Sequence, residues 1–328
     1  MSWLKDNLRF LTAVQLLPAL ESGEETLVGG QAVLEGVMMR SPHACAIAVR
    51  RPDGGIATHS EAVERPSEKH KWLGWPVIRG VATLGQAMAL GFRALKFSAN
   101  VALEDAAKAE GVKKVEISGW MAALNVLLSV GFFIVFYKMI PVYATQGLAK
   151  FFPSFEGHVM FNVVDGVIRL CLFLLFIWSV SLWADIRRVY EYHGAEHKTV
   201  FTFEDKKPLA IAEAQKYSTF HPRCGTSFLM TVMLISIAFY MLFPVHTLWA
   251  RILLRIALLP VIAGVSYEII RFAAKRRQSL FAMMTRPGLW LQRITTKPPA
   301  DAQVECAIRA LDEAMVLEKQ RGGELVIA

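Results

Sequence analysis

The sequence predicts an α-helical polytopic membrane protein, with about four transmembrane helices and a small cytoplasmic α+β domain. Three observations lead there. Of the 328 residues, 54% are hydrophobic, too apolar for a soluble domain of this size. Four apolar runs approach the ~20 residues that a ~30 Å hydrocarbon core requires. The formal charge is +8, and basic residues crowd the segments between and after these runs, as positive-inside topology demands. No aromatic–basic RNA-binding motif accompanies that charge, so no nucleic-acid partner is expected. The four cysteines, Cys45, Cys171, Cys224 and Cys306, are scattered. That spacing fits a reducing compartment and not a disulfide scaffold.

Residues 1–28 read as an N-terminal amphipathic helix over Leu4–Leu17, stopped by Pro18 and followed by an acidic link. It packs on the domain or lies on the membrane surface. Its apolar core is interrupted and lacks a small-residue cleavage site, so it does not read as a cleaved signal peptide. Residues 29–119 carry the β-like region and an amphipathic helix. Arg51-Pro52-Asp53-Gly54-Gly55 is a turn, because Pro fixes φ and Gly accepts positive φ. A hairpin or three-stranded sheet is expected around it. Gly80, Gly85 and Gly91 do not stop the helical run after Trp75, but Arg79, Arg93 and Lys96 argue against a full span. Residues 104–119 read as a charged linker.

The membrane domain, 120–270, holds spans at about 120–143, 163–183, 226–243 and 248–270. Arg251 and Arg255 in the last are expected to snorkel outward. The loop 144–162 has one basic residue, Lys150, whereas 185–225 has seven. Both termini and the 185–225 loop are therefore placed in the cytoplasm. Residues 271–328 form a cytoplasmic tail ending in a capping helix, with Asp301 at its start.

The chemistry concentrates in the 185–225 loop. His193 and His197 are four residues apart, so on a helix they share a face and can converge on one ion. Glu196 stands beside them. His-x-x-Glu-His is an inverted zinc-hydrolase pattern, in which two histidines hold the metal and a carboxylate takes a proton from water. His221 and Cys224 add borderline-soft donors suited to zinc, and Arg223 could meet an anionic substrate. Glu268, at the cytoplasmic end of the fourth run, is a further ligand candidate; a salt bridge to Arg271 or Lys275 is the plain alternative. Cys224 could equally be a small core hydrophobe, and the histidine pair a surface polar face. His43, His59, His70, His158 and His246 have no partner spacing and are set aside.

Gly29-Gly30-Gln31-Ala32-Val33-Leu34-Glu35-Gly36-Val37-Met38-Met39-Arg40, Tyr192-His193-Gly194-Ala195-Glu196-His197-Lys198 and His221-Pro222-Arg223-Cys224-Gly225-Thr226-Ser227-Phe228 resemble the signatures of the YqhQ-like family. These are bacterial membrane proteins of unknown function, described as predicted metal-dependent enzymes. The resemblance covers roughly residues 27–320. It implies a polytopic inner-membrane protein with a cytoplasmic domain and names no substrate.

The combined expectation is one divalent metal, Zn²⁺ by its donors, held by His193, His197 and one or more of His221, Cys224 and Glu268. Glu196 is the base. Glu35, Arg40, Tyr192 and Arg223 surround the site or touch substrate. The reaction expected is hydrolysis of a lipidic or membrane-anchored substrate. The rival is a non-enzymatic membrane scaffold, whose polar loop is a structural clasp and whose partner is another membrane protein. A transporter is a weaker third, since the spans carry few central polar residues.

Overall fold

The computed structural model describes residues 28–111, 118–221, 224–245, 247–275 and 280–320. The expected N-terminal helix, Arg223 and His246 lie outside them. Four antiparallel strands open the described chain: β1 (Gly29–Val33), β2 (Gly36–Arg40), β3 (Ala44–Arg50) and β4 (Ile56–Ala62), in the order β1-β2-β3-β4. The expected sheet is thus one strand larger. The long glycine-bearing motif is itself a hairpin, folding back at Leu34-Glu35. Glu35 takes a left-handed φ of 52° there, which costs a non-glycine residue about 1 kcal/mol. Its carboxylate is ion-paired with Arg188 and accepts a hydrogen bond from the Tyr192 hydroxyl at 3.3 Å.

Both faces of this sheet are covered, so its central strands are apolar throughout rather than half polar. Cys45, Ile47 and Val49 pack with Met38 against Leu90, Ala94 and Val101 of α1 (Ile78–Glu110). The alternate residues Val37, Met39 and Ala48 face the other way. They meet Tyr192 and Ala195 of α4 (Ala184–Glu204) and Val304, Ala307 and Leu311 of α9 (Asp301–Gln320). The expected charged linker at 104–119 therefore begins later, because α1 runs on to Glu110. Gly80 is used in packing: a Cβ there would meet Tyr267 Cβ at 2.7 Å and the Gly264 backbone at 3.0 Å.

Among the described residues, two helices are long and apolar enough to cross a membrane: α2 (Gly119–Ala149) and α3 (His158–Val180). On α2, Trp120, Leu127 and Leu128 are exposed, a face that suits lipid and not water. A π-helical segment at Val135–Met139 precedes Pro141, whose ring and missing N–H break the regular ladder. A bent pair, α6 (Leu248–Ala257) and α7 (Leu259–Lys275), would make a third span across a 48° bend. The expected third span, α5 (Gly225–Met241), has 17 residues, about 25 Å of helix. The expected four spans thus become two or three candidates by length and composition, which is consistent with membrane association.

The apolar helices that follow form a hairpin. α5 begins at Cys224 and ends beside the start of α3, where His158 Nε2 lies 2.8 Å from the Met241 carbonyl. α6 and α7 return, and α7 brings Glu268 to the Val77 amide and Arg79. The outward snorkelling expected of Arg255 does not occur. Arg255 is buried on Asp165 and Asn162, and the Arg251 guanidinium lies over the Phe161 ring at 3.6 Å. Buried acid and amide acceptors outcompete a distant interface. In the expected C-terminal tail, α8 (Leu280–Thr295) packs on α5. A Cβ at Gly288 would meet Ser227 Cβ at 2.5 Å, so glycine sets that approach.

Candidate metal centre

The segment after the second expected span is helical through the histidine pair, as α4, separated from α3 by a short break at Ser181–Trp183. The helix spaces His193 and His197 one turn apart, and their ring centroids lie 4.4 Å apart. The cap of α5 supplies Cys224. One nitrogen from each histidine and the Cys224 sulfur all lie within 4.8 Å of one another.

Each histidine is oriented through its other nitrogen. His193 Nδ1 is 2.8 Å from the Thr295 carbonyl, and His197 Nδ1 is 2.5 Å from the Thr219 carbonyl. A carbonyl can only accept, so each Nδ1 carries the proton. Each Nε2 of a neutral ring is then a lone pair aimed inward. His193 Nε2 meets Cys224 Sγ at 3.2 Å. His197 Nε2 is buried with no hydrogen-bond partner among the described residues, a costly state for a polar atom.

The supports of these carbonyls explain neighbouring residues. Lys198 Nζ donates to the Gln215 and Tyr217 carbonyls at 2.8 and 2.7 Å, which ties the segment bearing Thr219 to α4. Gly194 lets the Lys297 backbone pass closely over α4, since a Cβ there would collide with the Lys297 carbonyl. Thr295 is thereby held over His193. Gln292 of α8 accepts from the His221 amide at 2.7 Å and donates to the His221 carbonyl at 2.8 Å. Neither Gln292 nor the two carbonyls stood out in the sequence. Gly288, one turn before Gln292, was the available signal.

Charge completes the picture. Burial alone would lower the His193 pKa, but the facing Cys224 and nearby Glu196 raise it to about 9. Burial would likewise raise the Cys224 thiol, yet His193 and His197 hold it well below the usual thiol range. Both histidines therefore favour the Cys224 thiolate. The thiolate is also the form in which cysteine binds metal. His221 is pushed down to about 3 by burial, then by His197, and remains neutral. Its ring stands 4.5 Å from Phe201 and 5.6 Å from His197.

Glu196 is buried, with Oε2 3.9 Å from His193 Nε2. With His193, His197, His221 and Cys224 it lines a cavity of ≈ 130 Å³ closed by Val28, Gly29 and Gly30. A Cβ on Gly30 would stand 2.5 Å from the Met38 carbonyl oxygen and 2.8 Å from Glu196 Cγ, so this position must be glycine.

The remaining sequence candidates lie elsewhere. Glu268 is not brought to the cluster; it pairs with Arg79. Arg40 donates to Gln86 Oε1 at 2.6 Å on the other side of β1. Glu35 and the buried Tyr192 bond to each other at the β1–β2 turn, where burial raises the Tyr192 pKa. His221 lines the cavity, but its nitrogen is not among the three converging donors.

The donor set fits a divalent ion: two imidazoles with fixed tautomers, a thiolate, an orphaned buried nitrogen and an adjacent carboxylate. These features define a class: a mostly helical chain with span-length apolar helices and a small antiparallel sheet, closing around a buried His–His–Cys cluster. The DUF1385 family, described as a protein of unknown function, matches residues 75–317. The uncharacterized protein YqhQ of Bacillus subtilis (strain 168) is 34% identical over 297 residues, 88% of this chain and 92% of that relative. The chain belongs to this YqhQ-like family of unknown function. No solved structure matches it.

Proposed function

We propose that the chain is a metal-dependent membrane enzyme acting by hydrolysis on a lipidic or membrane-anchored substrate at the cytoplasmic face of a bacterial inner membrane. His193, His197 and Cys224 would hold one divalent ion, and zinc suits the mixed nitrogen–sulfur set. Bound there, the ion would act as a Lewis acid toward water or a substrate oxygen. Glu196 would hold the proton released from water and pass it to the leaving group.

One observation carries this reading: three donor atoms from two separate elements converge within 4.8 Å, with both histidines locked through Nδ1. The membrane location is supported by the span-length helices and by the basic residues of 185–225. Elemental analysis of the purified full chain tests the centre. The expected result is about one ion per chain, lost in the His193→Ala/His197→Ala variant. Substoichiometric metal in the wild type, equal to that of the variant, would overturn it.

The scaffold reading draws on a different observation. Glu318 of α9 accepts hydrogen bonds from the Ser41 hydroxyl and the His43 amide, and Glu35 joins the sheet to α4. On that reading the cytoplasmic face binds another membrane protein, and His193→Gln lowers folded yield with no bound metal to lose.

A further inference from the structure

A second cavity adjoins the candidate centre. It measures ≈ 570 Å³ and lies between β1–β2, α1 and α7, within the size range of small-molecule sites. Val28, Gly29 and Gly30 line both it and the smaller metal chamber. The strand between the two has no side chain at its two glycines, so the partition is only backbone thick.

The lining is divided. Leu73, Ala82 and Leu90 make it apolar on the α1 side. Arg40 and Arg65 make another part positive. Arg79 also lines it, but its charge is cancelled by Glu268. Arg40 is different. It donates to the neutral Gln86 and has no carboxylate partner among the described residues. Burial and then the neighbouring Arg65 disfavour its charged form. A half-buried guanidinium facing a cavity without an acid is a site for an anion, because a charge-assisted pair would recover that cost. The cavity also opens beside exposed indoles: Trp72 and Trp75 flank Leu73 and Gly74, and tryptophans of this kind favour the membrane–water boundary.

We propose that this cavity binds an anionic single-chain amphiphile, a phosphate or carboxylate head on a hydrocarbon tail, with Arg40 as the head-group anchor. The tail lies along Leu73, Ala82 and Leu90. This names the substrate class of the centre proposed above and rests on that reading only for the chemistry after binding; the binding itself needs no metal.

The test uses the full chain in maltoside detergent, titrated calorimetrically with dodecyl phosphate. Saturable binding is expected, weakened at least tenfold by Arg40→Gln, about 1.4 kcal/mol. Ala82→Phe, which fills the apolar side and keeps Arg40, is expected to weaken it as well. Dodecyltrimethylammonium is expected not to compete, and inorganic phosphate to compete at least tenfold less well than the alkyl phosphate. Equal binding by wild type and Arg40→Gln, or by the cationic amphiphile, overturns the proposal. Equal competition by inorganic phosphate overturns its amphiphile part and leaves a soluble anion as the ligand. Should Arg40→Gln fail to fold, the wild-type head-group comparison and Ala82→Phe still decide. Metal content measured on the same samples judges the centre separately, since Arg40 is not a ligand.

Discussion

Two buried polar clusters sit towards opposite ends of α5, about 20 Å apart by helix rise, and they are built on opposite principles. At the far end, Asp165 accepts from both Arg169 and Arg255. Arg169 also donates to Ser236 Oγ at 3.0 Å, Arg255 to Asn162 Oδ1 at 3.0 Å, and Lys138 to the Tyr240 hydroxyl at 3.1 Å. Both guanidinium groups stand near the Tyr240 ring, at 5.2 and 5.0 Å from its centroid. These groups bond chiefly to one another, with Arg169 Nε left over among the described residues, and they face no cavity-bound cluster of donors. At the near end, His193 and His197 spend their Nδ1 protons on backbone carbonyls and leave Nε2 pointing at Cys224 and a cavity. A network that closes on itself is structure; one whose acceptors converge on a space is a site.

The largest effect that would break this contrast is at Asp165. Asp165→Ala strands two buried guanidinium groups among apolar helices. Removing one partner of a buried ionic network costs about 3–5 kcal/mol. Loss of most folded protein is expected, read as the monodisperse fraction after detergent extraction and as the thermal midpoint by near-ultraviolet circular dichroism. A midpoint indistinguishable from wild type would show that the far cluster does not hold the helices together.

The near cluster should respond to ligand where the far one responds to mutation. A metal bound only by the folded state stabilises it by about 2.7 kcal/mol at a hundredfold excess over its dissociation constant, and about 4 at a thousandfold. Adding Zn²⁺ to chelated wild type should therefore raise the thermal midpoint. The same addition to His193→Ala/His197→Ala should not. An equal rise in both would place the metal elsewhere.

The same contrast explains what is legible in the sequence. His193, Glu196 and His197 are visible because a helix turns i and i+4 onto one face, a local rule. Cys224 is visible as a soft donor close in sequence. The partner of Glu268 is not, because Arg79 lies 189 residues away and nothing in either segment announces the other. Arg255 is hidden for the same reason: its acid, Asp165, is 90 residues off. The sheet reads one strand short because both faces of β2 and β3 are buried, which removes the polar alternation that marks a strand. The groups that orient the two histidines are invisible in principle, since Thr219 and Thr295 act through backbone carbonyls that every residue possesses.

The smallest expected effect lies outside both clusters, in the clasp between α9 and the β2–β3 turn. Glu318 Oε2 accepts from the Ser41 hydroxyl at 2.7 Å and the His43 amide at 2.8 Å, and Oε1 lies 2.8 Å from His43 Nδ1. Burial would raise the Glu318 pKa, but the Ser41 and His43 hydrogen bonds outweigh it and hold it below its usual 4.5. The unfolded chain therefore binds the proton more readily, so this contribution is complete above about pH 4.5 and is lost as pH falls through the lower folded-state value. Glu318→Gln should cost about 1.5–3 kcal/mol at pH 7, the range for hydrogen bonds to a charged group. The difference between variant and wild type should shrink steadily below about pH 4.5. Thermal midpoints of both proteins, measured from neutral pH down to about pH 3, check this. A gap that stays constant would mean that Glu318 acts by packing alone. A gap at neutral pH that leaves metal content unchanged would show that the clasp holds the sheet without shaping the centre beneath it.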